Sequence, residues 1–111
     1  MVSTFLQYFA EAHPGVAPNE YGLGGFSAGL LFGQALKAAG PHPTRAGVLA
    51  ALAATTTFTA DGLGPAGDPG QKQARVCLLI AGIRDRQFVR LDPPTTGYDC
   101  SGTFVPYPLS S

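Results

Sequence analysis

This 111-residue sequence predicts an α/β fold, three helices followed by a β-hairpin, and three observations carry the prediction. Apolar residues recur at helical spacing through the first half, at Phe5, Tyr8 and Phe9 and again at Val48, Leu49 and Leu52. After Ala54 the period changes, and Thr55-Thr56-Thr57-Phe58-Thr59 has the β-branched and aromatic character of a short strand. Further on, Val76–Ile80 and Phe88–Leu91 flank the polar Arg84-Asp85-Arg86, as two strands flank a turn.

The first helix is expected from Val2 to about His13, with Gln7 and Glu11 off its apolar face, and Pro14-Gly15 ends it. A turn-rich linker leads to a second helix that starts near Asn19 or Glu20 and runs to Ala39. Gly40 is its stop signal and Pro41 lies just beyond. Phe26, Leu30, Leu31, Ala35 and Leu36 form one apolar side of it, while Ala28, Gly29 and Gly33 form a flat second side. A helix with two non-polar sides is normally sandwiched, so this one is expected to bury against another copy or stay exposed on one side. Thr44 caps a third helix, Arg45 to about Ala54. Residues 62–70, with four Gly and two Pro, read as a loop. Thr103-Phe104-Val105 is one more extended candidate near the end.

Length limits residues 1–111 to a single segment, one domain or a piece of one. Seven Lys+Arg balance seven Asp+Glu, so no basic field attracts phosphates, and nucleic-acid binding is excluded. Charged residues are 13% of the chain against roughly 25% in typical soluble domains. A surface so short of charge points to cover by a partner, a second copy or further chain. The N-terminus has no basic, apolar leader, so no signal peptide is read in this chain. Tyr21 to Leu36 falls short of the ~20 apolar residues of a membrane span. Gly25, Gly29 and Gly33 repeat as G-x-x-x-G, a spacing that in a soluble helix lets a neighbouring backbone come close.

Gly25-Phe26-Ser27-Ala28-Gly29 matches G-x-S-x-G, yet no apolar strand precedes it. The downstream His42 comes ahead of most of the Asp residues, so the hydrolase reading is rejected and no catalytic residue is assigned. Gly22-x-Gly24 lacks both the strand and the third glycine of a dinucleotide loop. His13 and His42 sit beside prolines without ligand-like spacing, so neither metal nor cofactor is expected. Cys77 lies in the apolar run and Cys100 in the polar segment after the hairpin. A bridge that pins the tail onto the strand is expected, the alternative being a buried free Cys77 with an incidental Cys100. A bridge would mean an oxidising compartment, with Cα atoms about 4.4–6.8 Å apart.

The order of these signals resembles type I periplasmic binding proteins, in particular the branched-chain-amino-acid-type substrate-binding components of ABC transporters. The resemblance rests on the aromatic first helix, Tyr21, Ala35-Leu36-Lys37-Ala38-Ala39-Gly40 and Thr44-Arg45-Ala46-Gly47-Val48-Leu49-Ala50-Ala51-Leu52. Gly62-Leu63-Gly64-Pro65 and the hairpin around Arg84-Asp85-Arg86-Gln87-Phe88-Val89 continue it, although Gly is more common than Gln87 there. Cysteines placed like Cys77 and Cys100 look like those of some family members. It runs from about Phe5 to Val105.

Family members are two-lobed and much longer, so the resemblance implies the C-terminal part of such a fold. It implies an extracytoplasmic solute-binding component that works with a membrane ABC permease and performs no covalent chemistry. The solute class would be amino acids or similar small polar molecules. In the family an aromatic residue at the start of the helix before the Ala-Gly ending lines the ligand cleft, and Tyr21 matches that position. The alternative is a free-standing interaction or assembly domain that forms a homodimer and binds no ligand.

Overall fold

The computed structural model describes residues 1–73 and 75–103, and the chain divides after Gln73 into two compact units. The first unit contains α1 (Val2–Ala12), α2 (Glu20–Ala38) and α3 (Arg45–Ala53), then a single 3-10 turn at Pro69–Gln71. These helices fall where the apolar periodicity predicts them. The starts of α2 and α3 are chemically marked. Asn19 Oδ1 accepts from Gly22 N at 2.9 Å, and Thr44 Oγ1 accepts from Gly47 N at 3.1 Å. Each bond satisfies one of the donors that a helix N-terminus leaves open. At the other end of α2, Gly40 takes φ +90°, which lets the chain leave the helix sharply.

Aromatic rings join α1 to α2. Phe5 stacks at 5.5 Å from Phe26 and 5.7 Å from Phe9, with Tyr8 at 6.4 Å from Phe26. The Phe9 ring lies directly over Gly22, where a Cβ would overlap it. The close approach between these helices therefore uses Gly22, outside the G-x-x-x-G series. A Cβ added at Gly25, Gly29 or Gly33 would meet nothing within 4 Å. The flat side of α2 is open, and Ala35 is the buried residue of this helix.

The segment from Thr55 to Thr59 does not form the expected strand. It makes one isolated bridge, Phe58 to Gly67, with hydrogen bonds of 2.9 and 3.0 Å. Local bonds take several of its other polar groups. Thr55 Oγ1 donates to Ala51 O at 2.9 Å, and Gly62 N donates to Thr59 Oγ1 at 3.3 Å. Threonine side chains that bond to nearby backbone compete with a ladder, and the described residues include no partner strand to outbid them. Three consecutive residues, Ala60, Asp61 and Gly62, have positive φ and turn the chain back on itself.

In the second unit, β1 (Ile80–Arg84) pairs antiparallel with β2 (Gln87–Asp92). The expected first strand, Val76–Ile80, is corrected: the ladder starts at Ile80 and continues to Arg84. Arg84 pairs with Gln87, and Asp85 and Arg86 both have positive φ, at 50° and 62°. Those dihedrals make a two-residue turn of the primed type, which dictates register backwards from the turn. A bulge between Ile80 and Ala81 then shifts the pairing. Ahead of the ladder, Leu78 and Asp99 form an isolated bridge with bonds of 2.8 and 3.0 Å. Of the extended candidate Thr103-Phe104-Val105, the last two residues lie outside the described residues.

Candidate solute-binding surface

Tyr21 stands in the first turn of α2 and is 83% exposed. The Asn19 cap takes Gly22 N, and Leu23 N bonds to Asn19 O at 3.0 Å. That leaves the N–H groups of Glu20 and Tyr21 as the open donors of the helix end. They give the end its partial positive charge, and the Glu20 carboxylate stands in the same turn. An anionic solute group would therefore compete with Glu20 for this end. A hydroxyl or carbonyl, meeting the Tyr21 ring and its phenol, would not pay that repulsion.

Among the described residues, concavities of the helical unit include a groove and a hollow, neither with Tyr21 in its lining. One, of about 300 Å³, is an apolar groove between α1 and α2 walled by Phe5, Tyr8, Phe9, His13, Gly22 and Phe26. The other, of about 290 Å³, is floored by Leu30, Phe58 and Ala60 and edged by Gln34, Thr57 and Asp61. Ser27 sits in the middle of α2, half-buried, away from any strand-to-helix turn. It has none of the exposure that a nucleophile elbow supplies. Among the described residues no three His, Cys, Asp or Glu side chains gather as a metal site requires. No helix among them is long and apolar enough to cross a membrane.

Cys77 and Cys100 are joined, with Cα atoms 4.0 Å apart. That is closer than the general range for bridged residues, and the neighbouring pair explains it. Leu78 and Asp99 exchange both backbone hydrogen bonds, so Cys77 and Cys100 occupy the adjacent pair without hydrogen bonds. Such pairs bring Cα atoms to about 4.5 Å. Sequence reasoning did not foresee this pairing, because Leu78 and Asp99 show no pattern that matches them. Asp99 also accepts from Ser101 N at 2.9 Å. Ser101, through its backbone N–H first and its side chain second, holds the Asp99 carboxyl below the ordinary aspartate value.

The sequence profile of the periplasmic binding protein family matches residues 2–87, which span the three helices and the hairpin turn. The chain belongs to the periplasmic binding protein family. Comparison with curated proteins and with solved structures gave no match. Membership implies, as a family inference, an extracytoplasmic setting and a role in binding small solutes without catalysis.

Proposed function

We propose that the chain is the C-terminal part of the solute-binding component of an ABC transporter, acting on amino acids or a similar small polar solute. The observation that carries the reading is the family match across residues 2–87. Its partner is a membrane permease, and its work is closure on the solute, with no bond made or broken. Tyr21 supplies an aromatic face and a hydroxyl at the open end of α2, suited to a polar solute with an apolar side chain. The test is calorimetric titration of amino acids into the protein in its complete two-lobed form. There Tyr21→Ala should weaken affinity by about 1–3 kcal/mol, the worth of a buried aromatic side chain. Unchanged affinity with lowered stability would assign Tyr21 to packing.

One observation favours a second reading, a self-associating domain without a ligand. Tyr21, Gly25, Ala28 and Phe32 form an exposed apolar stripe along α2. Solution mass separates the two: a monodisperse dimer with no solute affinity supports the second reading.

A further inference from the structure

All the buried hydrophobic side chains among the described residues, Phe5, Ala35, Phe58 and Ala60, belong to the helical unit. The unit after Gln73 has none and is nevertheless folded back on itself. Its hairpin side chains Ile83 and Phe88, paired across the ladder, are 69% and 85% exposed. A lone two-stranded ladder is marginal in water, so something other than burial must hold residues 98–103 against residues 76–78.

Among the described residues, backbone and side-chain contacts contribute to this. Leu78 and Asp99 share two backbone bonds, and Gly102 approaches so closely that a Cβ would lie 3.3 Å from Val76 O. Arg90 Nη1 donates to Pro93 O at 3.2 Å and Gly97 O at 2.8 Å, tying down the connection after β2. The one covalent tie is Cys77–Cys100, which closes a loop spanning 23 positions and enclosing the whole hairpin. Cys77 is half-buried and Cys100 is exposed.

We infer that Cys77–Cys100 is a thiol-reversible latch, whose opening frees the Leu78–Asp99 pairing while the helical unit keeps its fold. The chemistry is exchange with a dithiol. Its thiolate attacks the accessible Cys100 Sγ, the bond to Cys77 breaks, and Cys77 leaves as a thiolate that takes up a proton. The second thiol of the reductant then closes on the first, releasing the Cys100 thiol. Two electrons and two protons pass from the dithiol to the bridge. The effect stays local because the helical unit is packed on its own buried residues. This inference stands independently of the solute-binding reading.

Amide hydrogen exchange on the 111-residue chain tests it, before and after treatment with dithiothreitol. The Leu78 and Asp99 amides should exchange about three hundredfold faster once reduced, the chain-entropy value for a loop of this length. Ala39 N, bonded to Ala35 O at 2.9 Å at the end of α2, should be unchanged. Removing the dithiol and reoxidising should restore protection. The double variant Cys77→Ser/Cys100→Ser should match the reduced protein with or without dithiol. Unaltered protection at Leu78 and Asp99, in the reduced protein or in the variant, overturns the latch. So does loss of protection at Ala39 in step with them, or reoxidation that yields linked chains instead of the original pairing.

Discussion

Phe5 is 6% exposed and touches two other rings, whereas Phe88 is 85% exposed on a hairpin strand. The two phenylalanines represent their regions. The helical unit has a small core of aromatic and alanine side chains with side-chain caps at the starts of α2 and α3. The hairpin unit has a ladder, a turn, a few side-chain bonds to carbonyls and one disulfide, with no buried side chain among its described residues. Burial of apolar surface stabilises the folded state directly, while a crosslink acts mainly by restricting the unfolded chain. The first kind of stability responds to truncation of a side chain and the second to breaking a bond.

The largest expected effect tests the first half of that contrast. Phe5→Ala should cost about 3 kcal/mol or more, the usual loss for a buried phenylalanine. Phe88→Ala should change stability by no more than about 0.5 kcal/mol, as exposed substitutions do. Urea unfolding followed by far-ultraviolet circular dichroism measures both. Equal losses would remove the distinction between the regions.

A second pair sharpens the picture within the helical unit. Gly22→Ala forces a methyl into the Phe9 ring and should destabilise by about 1–3 kcal/mol through overpacking. Gly25→Ala, one turn on, meets open space and should stabilise by roughly 0.5–1 kcal/mol through helix propensity. Thermal melts of the two variants should move in opposite directions. A destabilising Gly25→Ala in the isolated chain would mean that the flat side of α2 is covered in solution, which favours the dimer.

The smallest expected effect lies at Asp99 in the hairpin unit. Its pKa is lowered in the folded state, so its contribution is present above the ordinary aspartate value and fades as pH falls through the lowered folded one. Amide exchange at Ser101 should quicken, relative to the intrinsic rate, on acidification through that window. Asp99→Asn should remove this pH dependence. Persistence of the same pH profile in the variant would assign it to another group.

The helices were legible because their signals are local. Asn19 and Thr44 are good caps wherever they precede an apolar run, and Pro14-Gly15 and Gly40 stop a helix without help from distant residues. The first strand was misplaced for a related reason. Val76-Cys77-Leu78-Leu79-Ile80 is the most apolar run nearby, and apolar character suggests a buried strand. The hairpin register is instead counted back from the Asp85-Arg86 turn, which brings Gly82 and Arg84 into β1. Neither residue favours a strand on its own. A ligand role for Tyr21 is implied only by the family resemblance, and the structure places the residue in the first turn of α2.

Caps, breakers and 3.6-residue periodicity act within a few residues, so the extents of α1, α2 and α3 follow from local chemistry alone. The two cysteines also predict the bridge that the structure shows, without fixing the backbone pairing around it. Long-range pairing resolved what local chemistry left open. Leu78 meets Asp99 across the hairpin and thereby sets Cys77 against Cys100. Thr55–Thr59 stays a loop, joined by an isolated bridge to Gly67 and given no partner strand among the described residues. The close helix contact falls on Gly22 because the Phe9 ring lands there, while Gly25, Gly29 and Gly33 face open space. Which glycine is covered depends on the angle at which two helices cross. That angle is a property of their packed rings, and no single stretch of residues encodes it.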